Sequence, residues 1–308
     1  MTVSAPPASA ATPAAAPRAI RPGPVLAVGL ARNCGGAIRG AVERVSAALA
    51  GFESVQWLVI ESDSSDDTVA RLEALRRERP GFDFESLGEL RHTLPLRTDR
   101  IAHCRNRYLD RLAEDPRYRD VQTLVVADLD GVNDLLTPEG LLSCWDFDGW
   151  DVCTANQRAP YYDLWALRHP DWMQGDCWRQ YEFLKAHGVP RERALHAAVH
   201  SRHLRIPEDA APIEVESAFG GLGVYRREAI GDSRYIGLAP DGGELCEHLT
   251  FHAALRARGK RIFINPRMVN VGWVEHTMHL QFWPTVKRNW WAPPKEWLMG
   301  RIRGAKKA

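Results

Sequence analysis

The sequence has little that would indicate a metal–thiolate site, a nucleic-acid surface or a membrane span. Its six cysteines include no Cys-x-x-Cys pair, so we predict mostly buried, reduced thiols of a cytosolic protein and no cysteine-rich metal site. The formal net charge of +1 argues against a strongly basic nucleic-acid binder. No apolar run approaches the roughly 20 residues that a membrane-spanning helix needs.

The two ends of the chain differ in composition from the rest. Residues 1–24 are rich in alanine and proline and lack the basic and apolar segments of a signal peptide, which predicts a disordered leader and a cytoplasmic protein. Residues 281–308 are basic and hold Trp290, Trp291 and Trp297, with Glu296 as the only acidic residue from Lys287 onward. This extension suits peripheral contact with the inner face of an anionic membrane. The alternative is that the tryptophans dock on the domain and the basic end is solvated.

Between these ends, residues 25–280 alternate short apolar runs with segments of helical spacing. This order predicts an α/β domain in which crossover helices flank a mostly parallel sheet. The predicted strands cover residues 25–30, 55–60, 82–87, 121–127, 150–155, 161–168, 216–225 and 261–266. The predicted helices cover residues 37–50, 68–79, 100–113 and 246–258, and residues 170–205 are expected to form helical stretches of a lid or insertion.

Two carboxylates, Asp128 and Asp130, follow the apolar run 121–127 directly. That run has the composition of a buried parallel strand, and ligands bind at the carboxyl ends of such strands in open α/β sheets. Carboxylates at alternate positions there can hold Mn²⁺ or Mg²⁺, and the cation can neutralise a diphosphate. The alternative is an ordinary solvated turn.

Four short sequence segments resemble segments of a known group of enzymes. They are Arg32-Asn33-Cys34-Gly35, Glu61-Ser62-Asp63-Ser64-Ser65-Asp66-Asp67-Thr68, Arg100-Ile101-Ala102-His103-Cys104-Arg105-Asn106 and Tyr161-Tyr162-Asp163-Leu164-Trp165-Ala166-Leu167-Arg168. With the order of elements, they resemble GT-A (Rossmann-like) nucleotide-sugar glycosyltransferases, nearest to the fungal capsule-associated α-mannosyltransferase family and related yeast Golgi mannosyltransferases. That fungal family usually lacks so clear an Asp-x-Asp. Cys246-Glu247-His248 with Ile264-Asn265-Pro266 also resembles the acidic helix start and following strand of the large inverting glycosyltransferase family.

The resemblance implies roles for individual residues. It implies that Asp130 binds the metal, that Asp128 binds the metal or the ribose, and that His276 is a third metal ligand. The residues expected to bind the nucleotide-sugar are Asn33, Glu61, Asp63, Arg100, Arg105, Asn106, Asp128, Tyr162, Gly220 and Gly221. The residues expected at the reaction centre are Asp163, Glu247 and His248; Glu247 is the general base in an inverting enzyme and a positioning group in a retaining one.

Each of these residues also has a structural alternative. Asp66 or Asp67 caps the following helix, the arginines lie on a solvated helix face, and Tyr162 and Asp163 belong to the core of a strand. Gly220 and Gly221 then form a simple bulge, Glu247 is an ordinary first-turn glutamate and His276 is a surface histidine.

The expected function is metal-dependent transfer of a hexose, for example mannose from GDP-mannose, to a glycan or a lipid-linked glycan. No nucleic-acid partner is expected. Two alternatives stay open: a nucleotidyltransferase with a similar metal site, and a non-catalytic glycan-binding protein. The first is disfavoured because no glycine-rich, lysine-bearing phosphate loop follows the first predicted strand.

Overall fold

The computed structural model describes residues 22–274 and 277–278, so His276, the basic extension and all but the end of the leader lie outside the described residues. In chain order the strands and helices are β1 (Val25–Ala31), α1 (Gly35–Ala48), β2 (Val55–Glu61), α2 (Thr68–Glu78), β3 (Phe82–Ser86), α3 (Arg97–Glu114), β4 (Thr123–Ala127), α4 (Pro138–Leu142), β5 (Val152–Gln157), α5 (Cys177–Ala186), α6 (Arg191–Ala198), β6 (Ile213–Val215), β7 (Leu222–Arg226), α7 (Arg227–Ile230), α8 (Glu247–Ala257) and β8 (Ile262–Val271).

The described strands form one eight-stranded sheet in the order β3-β2-β1-β4-β7-β5-β8-β6. Strands β3, β2, β1 and β4 are parallel neighbours, and β8 runs parallel to β5. Strand β7 is antiparallel to both of its neighbours, and β6 is antiparallel to β8. The predicted α/β class, with a mostly parallel sheet flanked by helices, is confirmed, although β6 and β7 make the sheet mixed. The GT-A (Rossmann-like) assignment stays a prediction.

Alternation along the parallel strands gives each face of the sheet its own core. Val25 and Ala27 of β1 pack with residues of α1 and α2, whereas Leu26 and Val28 pack with residues of α3 and α8. Since successive side chains of a strand point to opposite faces, one short apolar run supplies both cores. Because helices cover both faces of the sheet, the ends of its strands remain uncovered.

One end of the sheet gathers the loops that matter for function. The loops after β1, β2 and β4 all leave the sheet at the carboxyl edge of the parallel strands. Because β7 is antiparallel, it begins at that same edge, and Asp128 after β4 donates its backbone N–H to the carbonyl of Gly221 before β7 at 2.9 Å. The same edge therefore receives chain segments that are almost a hundred residues apart.

The predicted elements agree with the structure except in two segments. Residues 161–168 do not form a strand; apart from an isolated bridge between Arg168 and Ser217, they form a loop with a turn at residues 164–166. The buried residues of the segment are Tyr161, Leu164, Ala166 and Leu167, a spacing that does not alternate.

The strand predicted over residues 216–225 begins only at Leu222, because Gly220 and Gly221 with positive φ turn the chain before it. The predicted helical stretches within residues 170–205 are confirmed by α5 and α6. The six cysteines are free, and five of them are buried.

No helix in the described ranges, 22–274 and 277–278, is both long and apolar enough to cross a membrane.

Candidate active site

A cavity of about 370 Å³ opens at the carboxyl edge of the parallel strands. We call its two sides the first-half wall and the second-half wall, after their positions in the chain. The first-half wall comprises Asp63, Arg100, Arg105, Asp128 and Asp130, and the second-half wall comprises Tyr162, Asp163, Phe219, Glu247 and His248. All of them except Phe219 are residues that the sequence predicts for the site.

Asp128 and Asp130 lie just beyond the end of β4. Gly131, with φ +100°, turns the chain directly after them. Although 38% of the Asp128 side chain is exposed, the exposure is toward the cavity. There the loss of bulk water, and then the negative charges of Asp130, Asp163 and Glu247, raise the pKa of Asp128 to about 7, against the opposing effect of Arg105.

The donor set suits a hard divalent cation that is bound together with phosphate. Burial raises the pKa of Asp128 most, and the charges of the three neighbouring carboxylates raise it further, so a cation would relieve the repulsive part of this effect. Within residues 22–274 and 277–278, no cluster of three His, Cys, Asp or Glu side chains has the geometry of a complete metal site. Mg²⁺ and similar ions are often held by one or two carboxylates plus substrate phosphates, so Asp128 and Asp130 fit such an ion. His276, the third predicted ligand, lies outside the described residues.

Arg105 joins the two walls of the cavity. Its Nε donates to Oε1 of Glu247 at 2.8 Å, and its Nη2 lies 3.6 Å from Oδ1 of Asp128. The guanidinium also lies over the rings of Phe219 and Tyr235, with its Cζ 5.2 and 5.7 Å from their centroids. Arg105 is only 5% exposed, so these contacts replace the water that a free arginine would bind.

His248 is buried in the second-half wall. Its ring stacks on Phe219 with centroids 3.9 Å apart, and its edge faces Tyr235 at 5.6 Å. Neither ring nitrogen has a hydrogen-bond partner among the described residues. Burial first, and then the charge of Arg105 and the neighbouring His252, hold the pKa of His248 well below 6.5, so the ring is neutral at neutral pH.

Asp163 is held by backbone donors on both of its oxygens. Gly220 donates its N–H to Oδ2 at 2.9 Å, and Ala166 donates to Oδ1 at 3.3 Å. Gly220 and Gly221 do not themselves line the cavity, but both have positive φ, +66° and +86°. A Cβ on Gly221 would lie 2.8 Å from the hydroxyl oxygen of Tyr162, so the close approach requires glycine.

Asp63 lies at the far side of the first-half wall, in the left-handed conformation with φ +61°. Its Oδ1 accepts the backbone N–H of Arg91 at 3.0 Å. Its buried Oδ2 has no hydrogen-bond partner in the described part of the chain, although Nε of Arg100 lies 3.6 Å away. A buried carboxylate oxygen beside the cavity is therefore available to a ligand donor.

Three further predicted residues lie behind the cavity and support its loops. Glu61 accepts the backbone N–H of Ser64 at 3.0 Å, and Asn33 accepts that of Ser65 at 2.7 Å. Asn106 is bonded at both ends of its amide to the backbone of Tyr235. These contacts fix the loops after β1 and β2 and the segment before α8, and none of the three residues lines the cavity.

The capping alternative for the loop after β2 holds for one residue of the two. Asp66 accepts the backbone N–H of Thr68 at 3.0 Å and that of Gly35 at 3.1 Å. It therefore ties the starts of α1 and α2 together. Asp67 makes no capping bond and instead pairs with Arg71 at 2.8 Å.

Three buried side-chain amides, which the sequence did not reveal, bond to the backbone of the loops that form the site. Asn133 donates to the carbonyls of Asp128 at 2.9 Å and Gly221 at 3.2 Å. Asn270 donates to Asn133 Oδ1 at 3.0 Å and to the carbonyl of Gly220 at 2.8 Å, which Gln157 also contacts at 3.3 Å. We call Asn133, Gln157 and Asn270 the amide cluster. It fixes the end of β4 against the start of β7, and its members are too far apart in sequence for any local pattern to identify them.

Comparison with known proteins gives similarity only at the level of solved structures. No protein-family model matches the chain, and no curated protein is significantly similar to it. A mannosyltransferase from Pyrobaculum calidifontis, solved with GDP-Man and Mn²⁺, aligns over 83% of this chain and 58% of its own at 14% identity and a TM-score of 0.47. S. aureus TarS 1–349, solved with UDP-GlcNAc, aligns over 82% of this chain and 59% of its own, at 12% identity and a TM-score of 0.47.

Glucosyl-3-phosphoglycerate synthase from Mycobacterium tuberculosis, solved with UDP, aligns over 80% of this chain and 69% of its own, at 14% identity and a TM-score of 0.38. This chain spans less than two thirds of the first two proteins. Likeness at this level says nothing about substrate, and the resemblance to the fungal capsule-associated family stays a prediction.

Proposed function

We propose that this protein is a glycosyltransferase that takes its sugar from a nucleotide-diphosphate donor with the help of Mn²⁺ or Mg²⁺. The observation that carries the proposal is the convergence of Asp128, Asp130 and Arg105 in one cavity at the carboxyl edge of the parallel strands. Paired carboxylates for a cation, beside a buried arginine, suit a ligand that carries a diphosphate.

The first-half wall would bind the donor. Asp128 and Asp130 would hold the cation, which supplies positive charge to the leaving diphosphate when bound. Oδ2 of Asp63, which has Nε of Arg100 at 3.6 Å but no hydrogen bond in the described part of the chain, would accept one from the nucleoside, either from the ribose or from an N–H of the base. This oxygen would favour a donor that offers an N–H or O–H at that point, because a buried oxygen without a hydrogen bond is costly.

The second-half wall would bind the sugar and the acceptor hydroxyl. Asp163, oriented by the N–H groups of Gly220 and Ala166, would accept sugar hydroxyls. In the reaction the bond between C1 of the sugar and the diphosphate oxygen breaks, a bond forms between C1 and the acceptor oxygen, and the acceptor hydroxyl loses its proton. Glu247 and His248 are the side chains of this wall that lie together at the start of α8.

The identity of the substrates rests on the sequence resemblance. We infer a hexose donor, with GDP-mannose as the first to be tested, and a glycan or a lipid-linked glycan as acceptor. Residues 281–308 would provide peripheral contact with the inner face of the membrane, and the protein would be cytoplasmic.

A thermal-shift panel tests the proposal. UDP, GDP, CMP and dTDP are each added with and without Mn²⁺, because a ligand that binds only the folded protein raises its melting temperature. We expect a shift with one nucleoside diphosphate that increases when Mn²⁺ is present, and GDP would favour the mannosyl donor. UTP and GTP are added to the same panel, because a metal-dependent shift with nucleoside triphosphates alone would favour a nucleotidyltransferase. No shift with any nucleotide would contradict the proposal and favour a non-catalytic glycan-binding protein.

A further inference from the structure

We propose, on the basis of the function proposed above, that His248 and not Glu247 accepts the proton of the acceptor hydroxyl. The sequence resemblance favours Glu247 as the base, but the contacts of the two residues differ in a way that reverses this assignment. Four observations carry the inference: the pairing of Glu247, the unbonded nitrogens of His248, the orientation of its ring, and the contrast with His252.

Glu247 is already engaged as the counterion of a buried cation. Its Oε1 accepts from Nε of Arg105 at 2.8 Å, and both residues are 5% exposed. If Glu247 accepted a proton, it would lose its charge and leave the Arg105 guanidinium partly uncompensated in a buried environment, which is energetically costly. A group in this position stabilises a neighbouring positive charge better than it removes a proton.

His248 is buried, lines the cavity and has no hydrogen bond on either ring nitrogen within the described residues. Buried polar atoms are bonded in nearly all cases, and exceptions call for a physical explanation. His252, one helical turn further along α8, follows the rule: its Nδ1 is bonded to Ser217 Oγ at 2.9 Å and its Nε2 to Tyr225 Oη at 3.0 Å. Of these two histidines on one helix, only His248 is left for a ligand to bond.

The ring orientation assigns a different task to each nitrogen of His248. Stacking on Phe219 at 3.9 Å with an interplanar angle of 21° fixes the plane of the ring. Nε2 lies 3.6 Å from Oε1 of Glu247, a distance from which a catalytic hydrogen bond can close when substrate binds. We therefore assign the N–H to Nε2, facing Glu247, and the lone pair to Nδ1. Burial keeps this ring neutral, because it holds the pKa of His248 well below 6.5.

The proton transfer then balances as follows. The acceptor oxygen forms a bond to C1 of the donor sugar while its proton passes to Nδ1 of His248. The electron pair of the C1–O bond leaves with the diphosphate. The imidazolium that forms is stabilised by Glu247, whose Oε1 lies 3.6 Å from Nε2 of His248, and it later gives the proton to solvent. Direct displacement of this kind inverts the configuration at C1, so an α-linked donor such as GDP-mannose would give a β-linked product. This differs from the α-linkage that the resemblance to the fungal α-mannosyltransferases implies.

The test compares four forms of the full-length protein: the wild type, His248→Ala, His248→Asn and the control His252→Asn. The donor found in the nucleotide panel is used, with transfer and donor binding measured separately. We expect kcat to fall by roughly 10²- to 10⁴-fold in both His248 variants, with donor affinity within about threefold of the wild type. The Asn variant keeps a polar group near the position of Nδ1 and serves as a second variant should His248→Ala not fold.

Rescue with added imidazole separates a base from a structural residue. Imidazole should restore part of the kcat of His248→Ala, because the vacated space beside Phe219 has the shape of that ring. It should not affect His252→Asn, whose loss is one of hydrogen bonds to Ser217 and Tyr225. NMR of the early product should show inverted configuration at C1.

Several outcomes would overturn the inference. They are a His248→Asn variant with wild-type kcat, a loss of kcat in His248→Ala that imidazole does not restore, or a product with retained configuration. In each case the wild type still binds donor and transfers sugar, so the function proposed above stands. If the wild type neither binds nor transfers from any nucleotide-sugar, the proposed function fails and the inference fails with it.

Discussion

The two walls of the cavity are built by different means. Residues of the first-half wall such as Asp63 and Asp128 come one or two residues after the ends of parallel strands, so the strand ends determine where they lie in the fold. Residues of the second-half wall such as Asp163 and His248 come from turns and a helix start, and their orientation depends on partners from distant parts of the chain. The parallel strands thus determine the positions of the carboxylates in the first-half wall. The loops and the helix start determine the orientation of the groups in the second-half wall.

Arg105 contacts both walls, so replacing it should affect both of them and have the largest effect. Replacing it with methionine keeps most of the side-chain volume but leaves Glu247 and Asp128 without their cation. We expect the free energy of unfolding to fall by about 3–5 kcal/mol, since a buried charge loses its partner. Transfer should be lost as well.

The control for this variant is Arg107→Met. Arg107 lies on the same helix and donates to Glu85 at 2.7 Å, but its side chain is 35% exposed, so the loss should stay below about 1 kcal/mol. Urea unfolding followed by circular dichroism measures both variants. Equal losses would mean that burial of the Arg105 ion pair does not matter.

Asp130→Ala tests the first-half wall by itself, since it should remove a metal ligand without affecting stability. Asp130 is exposed, so the melting temperature should stay within about 2 °C of the wild type. We expect kcat to fall by about 10²- to 10³-fold because the cation loses a ligand and the leaving diphosphate loses electrostatic stabilisation. Mn²⁺-dependent thermal shifts with nucleotide should be lost in parallel.

Asp134→Ala is the matched control for Asp130→Ala, since Asp134 lies on the same loop and pairs with Arg44 on the surface at 2.7 Å. It should keep both activity and the Mn²⁺-dependent shift. Full activity of Asp130→Ala in the presence of Mn²⁺ would show that the metal site is wrongly assigned.

The amide cluster tests whether the second-half wall depends on distant partners. Asn270→Ala removes donors to the carbonyl of Gly220 and to Asn133. We expect a loss of about 1–3 kcal/mol in the free energy of unfolding, because buried acceptors lose their bonds. A double-mutant cycle with Asn133→Ala should give a coupling above about 0.5 kcal/mol. Simple additivity would mean that the two amides act separately.

The pH dependence of stability tests the buried histidines behind the second-half wall. Burial, with a smaller contribution from Arg105, lowers the pKa of His252 to about 3 in the folded protein, against roughly 6.5 when unfolded. Below pH 6.5 the unfolded state therefore binds a proton that the folded state does not. The free energy of unfolding should fall with decreasing pH by about 1.4 kcal/mol per unit for this residue, until pH 3 is approached.

The comparison with His252→Gln isolates that contribution. Between pH 6 and pH 5 the other titrating groups, Asp128 among them, contribute equally to the slopes of both proteins, so the variant should lose stability less steeply than the wild type. Parallel curves for the two proteins would contradict the assignment of His252 as a neutral buried group.

The location of Asp128 and Asp130 could be predicted from the sequence because the information is local there. The apolar run before Asp128 identifies both the strand and the place where it ends. The incorrect strand at residues 161–168 has the opposite cause: its apolar residues fill a compact turn, and their spacing resembles alternation only loosely. The partners of Asn270 and His248 lie in other segments of the chain, so no pattern within one segment could reveal that one is fully bonded and the other is not.

The conformation at Gly131 determines which chirality of residue this position accepts. Its φ of +100° is unfavourable for an L residue, although a Cβ there would have no atom within 4 Å. Lack of space therefore does not explain the glycine; chirality does. Chemical synthesis with D-alanine at this position should be accepted and should restrict the unfolded chain, whereas L-alanine should strain the loop that carries Asp128 and Asp130. Among the residues that a ribosome can supply, glycine is the one that closes this loop without strain.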